Sequence, residues 1–360
     1  MPLHTTRHSP LAAIRSQLGC WFHERWRTEL VIGFPRLARL AGMDWKDLCN
    51  RREVLTTDET TGGRICQWQD SSPLTVARLY PRVGARLLQH CLKQFPVNFQ
   101  RVSTPHVADP EVTFVIGVRG TGRLPQFQAT VASLLGQQDC PIEVIVVEQS
   151  WEQQFQNIVP SGVRYIYTRP DSPDMPFNRS WALNVGARNA KGRVVVLHDG
   201  DYVVPAVFAR EIALRLQNGI ESLRLPRLIF YLDQQSSASI QTNLNFRDVQ
   251  EVNRVVQNNP TPMALTKEAY MRIGGHDESF YGWGGEDNEF LDRARTLRHC
   301  EGAFLPIIHL WHAEAPNRSG DRNSQYLSSI LEKPVQERIG ELSQREFGRD
   351  IPSRPWRVSQ

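Results

Sequence analysis

Val112-Thr113-Phe114-Val115-Ile116-Gly117-Val118 is a nearly continuous apolar run, and it stops at the glycine-rich turn Arg119-Gly120-Thr121-Gly122-Arg123. A run this short, rich in β-branched residues and bounded by glycines, reads as a strand buried on both faces. Residues 127–135 follow with amphipathic helical spacing, and the pattern then recurs. Glu143-Val144-Ile145-Val146-Val147-Glu148 predicts a second strand and Val163-Arg164-Tyr165-Ile166-Tyr167 a third. Residues 181–190 read as a helix, and Arg193-Val194-Val195-Val196-Leu197 as a fourth strand. Strands that alternate with helices and are apolar throughout predict an α/β fold, its mostly parallel sheet flanked by helices on both faces. Ligands of such sheets bind beyond the carboxyl ends of the strands.

Upstream, residues 1–105 read as a helical region. Leu11-Ala12-Ala13-Ile14 with Leu18, and Leu37-Ala38 with Leu40-Ala41, have helical apolar spacing, and residues 82–92 form another helical candidate ended by Pro96. Arg15, Arg25, Arg27, Arg36 and Arg39 supply a basic face with Trp21 and Trp26 among them. That pattern fits either peripheral contact with a membrane or the solvated face of a packed helix. The expected division is a helical N-terminal region over 1–105, a sheet domain over 106–325 and a helical tail over 326–360.

The chain has 360 residues and a formal net charge of +4, which favours anions mildly and gives no reason to expect nucleic acid as a partner. Six cysteines are scattered with no Cys-x-x-Cys pair, a pattern of free thiols in a reducing compartment. No apolar stretch reaches membrane-spanning length, and the first residues lack the apolar core of a signal peptide. The expected location is cytoplasmic, with allowance for the inner face of the membrane.

Three clusters carry chemistry. The fourth strand runs into His198-Asp199-Gly200-Asp201, and in an extended chain the two carboxylates would point the same way and share a divalent cation. An Asp-Gly-Asp also makes an ordinary turn. Apolar residues 304–308 deliver His309-Leu310-Trp311-His312, whose imidazoles would face one centre in a helical turn. Carboxylate with imidazole suits Mn²⁺ better than Mg²⁺. In Phe280-Tyr281-Gly282-Trp283-Gly284-Gly285-Glu286-Asp287-Asn288-Glu289-Phe290, glycines surround one indole and two carboxylates open a helix. Their position at the helix start is stabilised by the dipole. An indole beside a carboxylate can stack on a sugar ring while the carboxylate takes a hydroxyl proton. Arg179, in Met175-Pro176-Phe177-Asn178-Arg179-Ser180, and Arg318, in the polar loop 317–323, are candidates for meeting phosphate, and both segments also read as plain loops.

Taken together, these motifs resemble the glycosyltransferases of the GT-A, Rossmann-like fold. They are similar to family-2 enzymes carrying the Trp-Gly-Gly-Glu-Asp segment of Golgi galactosyltransferases, polypeptide N-acetylgalactosaminyltransferases and chondroitin-type polymerases. The resemblance spans about residues 110–325. It implies that Asp199 and Asp201 hold a metal and a UDP-sugar, with His312 and His309 as further metal ligands. It implies that Phe177 and Arg179 contact the nucleotide, as do Arg119 and Glu148 at the ends of the first two strands. Trp283, Gly284, Gly285 and Asn288 then form the acceptor loop, with Asp287 the general base and Glu286 beside it.

The implied activity is Mn²⁺- or Mg²⁺-dependent transfer of a galactose-, GalNAc- or GlcNAc-type sugar from a UDP-sugar to a glycan or lipid-linked glycan hydroxyl. Inversion of configuration and a role in bacterial surface polysaccharide or glycoconjugate synthesis complete the expectation. The alternative is a non-catalytic module that binds sugar nucleotide or glycan within a polysaccharide assembly.

Overall fold

The computed structural model describes residues 10–68, 70–101, 109–313 and 321–349. Its centre is a seven-stranded sheet in the spatial order His299–Cys300, Ser222–Arg224, Met263–Thr266, Val194–His198, Val112–Val118, Ile142–Gln149, Arg164–Thr168. The last four are parallel, as the sequence predicts. Met263–Thr266 runs antiparallel to both of its neighbours, so the sheet as a whole is mixed. The chain lays its first three parallel strands outward in one direction and then returns to place the fourth on the other side of the first. A crevice opens at such a reversal because the connecting helices leave toward opposite faces. Here it lies beyond Val118 and His198.

Alternation of side chains between two buried faces explains why most positions of the inner strands are apolar. Phe114, Ile116, Val118, Val194 and Val196 enter a layer shared with Phe127, Val131 and Phe208 from two helices, Leu124–Leu135 and Phe208–Arg215. Val115, Ile145, Val147, Val195 and Leu197 enter the opposite layer with Trp181, Leu183 and Val185 of helix Arg179–Asn189. Fully burying one such side chain contributes about 1.5–3 kcal/mol. Helix and sheet approach closely at Gly186, where a Cβ would lie 2.1 Å from Val115 Cγ1.

A second, five-stranded sheet stands beside the first, in the order Ser72–Pro73, Val252–Gln257, Pro226–Leu232, Leu305–His309, Tyr202–Val203. Its register pairs His309 with Tyr231 on one side and with Tyr202 on the other. One face packs on the N-terminal helices: Trp45, Leu87, Leu88 and Cys91 share a core with Leu228, Phe230, Val255 and Ile308. Residues 10–101 hold helices together with a hairpin, Leu55–Thr57 with Arg64–Cys66, and one strand of this sheet. The guanidinium of Arg227, buried at the junction, donates to the carbonyls of Lys46 and Leu48 at 2.7 and 2.6 Å. Helices Asp321–Leu331 and Val335–Ser343 follow near the C-terminus. No helix among the described residues is long and apolar enough to cross a membrane.

Gly186→Ala should destabilise the protein by about 1–3 kcal/mol through overpacking against Val115. Gly340 is also helical, but a Cβ there would meet nothing within 4 Å, so Gly340→Ala should be neutral or mildly stabilising. Urea unfolding of both variants measures the difference.

Candidate active site

Two sheets bring two polar clusters together at the crevice. Strand Val194–His198 ends, Gly200 turns the chain, and Tyr202–Val203 joins the second sheet, which leaves Asp201 at the seam between the sheets. The Asp201 carbonyl accepts the Leu310 N–H at 2.9 Å, which pins the end of strand Leu305–His309 beside it. His309 Nε2 lies 3.8 Å from Asp201 Oδ1, and His312 Nε2 lies 3.3 Å from Oδ2. The helical turn expected to join the two imidazoles is absent, since His309 is the last residue of a strand and 310–313 are irregular. Their rings nevertheless come within 5.2 Å. Tyr231 stacks on the His309 ring at 4.4 Å, which fixes its plane.

These three side chains offer ligand atoms within 4.8 Å of one another. Nitrogen and oxygen ligands at about 2.0–2.2 Å from one ion, as in zinc and other transition-metal sites, stand about 3 Å apart, so the set fits a cation after small side-chain rotations. One carboxylate with two imidazoles suits a first-row transition metal better than Mg²⁺, which takes oxygen ligands and water. Burial alone would raise the pKa of Asp201, but the His312 hydrogen bond and the charges of His309, His312 and Arg123 hold it down to about 2. Arg123 Nη1 reaches Asp201 Oδ2 at 3.1 Å. Burial in turn lowers the pKa of His309, which favours the neutral imidazole a metal requires.

The second cluster is organised by Arg179. Its side chain donates through Nε to Asp199 Oδ1 at 2.8 Å and through Nη1 to Asp287 Oδ1 at 2.8 Å, while Glu286 Oε1 lies 4.0 Å from Nη1. The arginine is positioned from behind by Asn178. The Asn178 side chain caps helix Arg179–Asn189 through Trp181 N at 2.9 Å and donates to the Glu278 carbonyl at 2.7 Å. Its own N–H reaches Gln149 Oε1 at 2.7 Å. Gly285, at φ +92°, starts helix Glu286–Ala294 and presents both carboxylates in its first turn.

Burial and the neighbouring Asp287 charge push the Glu286 carboxyl up to about 7, against the pull of Arg179. Glu286 Oε2 is buried and has no hydrogen-bond partner among the described residues. Burial also raises the pKa of Asp287, opposed by Arg179. The site therefore holds carboxylates of unlike environment: Asp201 firmly ionised, Glu286 poised near neutrality.

Asp199 and Asp201 do not point the same way, as an extended chain would require. The strand ends at His198, and past that turn one carboxylate meets Arg179 and the other the two histidines. Trp283 is 58% exposed at the tip of the glycine-rich loop, followed by Gly284 at φ +100° and Gly285, with Asn288 exposed on the helix. Gly282 N–H donates to the Phe177 carbonyl at 2.9 Å, which ties this loop to the segment bearing Arg179. Asn323 Nδ2 donates to the Trp283 carbonyl at 3.1 Å.

Arg119 donates to the carbonyls of Met175 and Pro173 and so braces the loop before Phe177. The fully buried carboxylate of Glu148 turns into its own loop, where it accepts from Gln154 N at 2.9 Å, Phe155 N at 3.1 Å and Tyr165 OH at 2.6 Å. Arg318 lies outside the described residues. Two neighbours of the site escaped the sequence reading. Arg123 is visible only as part of a glycine-rich turn, and Tyr231 sits in an apolar run that has no local signal.

With this geometry in place, comparison with known proteins is informative over one segment. The family profile for the N-terminal domain of galactosyltransferase matches residues 261–308. That segment runs from the antiparallel strand Met263–Thr266 of the central sheet through Trp283, Glu286 and Asp287 to the strand ending in His309, and it is galactosyltransferase-like. Among solved structures, the catalytic domain of Drosophila β1,4-galactosyltransferase 7 in complex with xylobiose is similar, at 16% identity and a TM-score of 0.31. The match covers 53% of this chain and spans 64% of that one. No curated protein matches the chain.

His312→Ala or Asp201→Ala should weaken Mn²⁺ binding at least about ten-fold by calorimetry, whereas Asp199→Asn should change it only a few-fold. Glu286 has a folded-state pKa above that of the unfolded chain, so its contribution to stability is present below about 4.5 and is lost as pH rises through about 7. Glu286→Gln should flatten that part of the stability profile relative to the parent protein in denaturant titrations between pH 4 and 8.

Proposed function

We propose that the protein is a metal-dependent glycosyltransferase that moves a sugar from a UDP-sugar to a glycan hydroxyl. The observation that carries this reading is the coincidence of the galactosyltransferase-like segment with the crevice. That segment contributes Asp287 and ends beside His309, and both converge on the Asp-Gly-Asp turn of the parallel sheet. Asp201, His309 and His312 would hold Mn²⁺ or Mg²⁺, which when bound supplies Lewis-acid neutralisation of the leaving diphosphate. Mn²⁺ is preferred on the nitrogen content of the ligand set. The nucleotide is assigned to the crevice beyond Val118 and His198, near Arg119 and Phe177.

Asp287 is the general base in this reading. It takes the proton of the acceptor hydroxyl as the oxygen bonds to the anomeric carbon and the bond from that carbon to the diphosphate breaks. A single displacement inverts configuration. Arg179 positions the base and keeps Asp199 in place. Trp283 offers its exposed face to an acceptor sugar. A donor of galactose, GalNAc or GlcNAc type, and a glycan or lipid-linked acceptor in bacterial surface polysaccharide synthesis, complete the proposal.

One observation favours a second reading, a binding module without transfer. Arg179 donates to Asp287 Oδ1 at 2.8 Å, so it occupies an oxygen the base would use and opposes the rise in pKa that burial causes. Turnover separates the two. With Mn²⁺, a panel of UDP-sugars and glycan acceptors, the enzyme reading expects UDP release that depends on acceptor. Asp287→Asn should lower kcat by about 10²–10⁴-fold while nucleotide binding persists. Binding of UDP-sugar with no acceptor-dependent release across the panel supports the module.

A further inference from the structure

We infer that residues 14–40 form a docking surface for an anionic lipid bilayer. The inference stands on the N-terminal helices and is independent of the metal-centre reading. Helix Pro10–Cys20 continues through a π-helical turn, Trp21–Arg25, into helix Trp26–Gly33, and Pro35–Leu40 follows after a break at Phe34.

Cys20, Thr28 and Val31 lie on one stripe of this helical stretch and, with Ala38 beyond it, are buried against the rest of the protein. That stripe suffices to anchor the helices. A second apolar stripe runs beside it, with Ile14, Leu18, Trp21 and Phe22 at helical spacing and Trp26 one turn on, and all five are exposed. Phe34, Leu37 and Leu40 extend the exposed apolar surface, the last at 88%. Eight of the fourteen exposed large apolar side chains among the described residues fall in this stretch, so the surface is concentrated here.

The charges on the same surface decide the partner. Arg15, Arg27, Arg36 and Arg39 are exposed, and no acidic residue between 14 and 42 is. The two glutamates of the stretch are half-buried and engaged by neighbours: Glu24 accepts from Arg51 N, and Glu29 pairs with Arg25 and Arg86. Tryptophan and phenylalanine flanked by unopposed arginines match a bilayer interface, where rings sit among the headgroups and guanidinium groups meet lipid phosphates. A second protein would more often present mixed charges and a paired rim. The basic stretch also meets the negative potential of an anionic leaflet, which attracts each cation near the surface.

The full-length protein tests this by flotation with vesicles of phosphatidylcholine alone and of phosphatidylcholine with about 30% phosphatidylglycerol. The expected result is binding to the anionic vesicles that weakens with salt and exceeds binding to neutral ones by about ten-fold or more. Trp21→Ser with Phe22→Ser and Trp26→Ser should abolish it, as should Arg15→Glu with Arg27→Glu and Arg36→Glu, each with unchanged circular dichroism. Quenching of tryptophan fluorescence by brominated lipid should drop in Trp21→Phe with Trp26→Phe. No binding, or equal binding to both vesicle types, would overturn the inference. So would a concentration-dependent dimer in sedimentation that the apolar triple variant disrupts, since the surface would then be covered by a second copy of the chain.

Discussion

The arrangement of the site depends on the cation of Arg179. Asp199, Glu286 and Asp287 approach from two distant parts of the chain, and three carboxylates in a half-buried space repel one another. Their convergence is tolerable because a guanidinium stands among them, and burial of that guanidinium is tolerable because the carboxylates surround it. Removing the arginine would leave buried negative charge unpaired, a change that costs more than the pair itself is worth. Asn178 supports the same point from behind, because it joins the helix start, the second parallel strand and the segment before the glycine-rich loop.

The candidate metal site of Asp201, His309 and His312 has a different origin. It exists because the central sheet hands the chain to the second sheet within a few residues. Asp201 stands at that transfer, and the strand carrying His309 runs between Tyr202–Val203 and Pro226–Leu232. Register then decides the chemistry: His309 is placed opposite Tyr202 and Tyr231, and the hydrogen bond from Leu310 to Asp201 holds the strand end in place. Arg123 delivers a further positive charge to Asp201 from the turn after the first strand.

Much of the fold is legible in the sequence because three of its four parallel strands are buried on both faces. Val112–Val118 and Val194–His198 need apolar residues at nearly every position, and that pattern survives without any knowledge of partners. The second sheet is less legible. Pro226–Leu232 and Val252–Gln257 are paired with strands far along the chain, and register between distant segments leaves no local mark. Site residues follow the same division. Glu286, Asp287 and the two histidines stand out by type and spacing. The separate destinations of Asp199 and Asp201 do not, because they depend on where the strand stops and Gly200 turns. The orientation of Glu148 is equally hidden, since its hydrogen-bond donors come from a loop that folds back upon it.

The most direct test of the account is a crystal structure of the protein with Mn²⁺ and UDP, with data collected at the manganese absorption edge. The account predicts one anomalous peak bonded to Asp201, His309 and His312, with diphosphate oxygens on its open side. A peak elsewhere, or UDP bound away from the crevice beyond Val118 and His198, would contradict it.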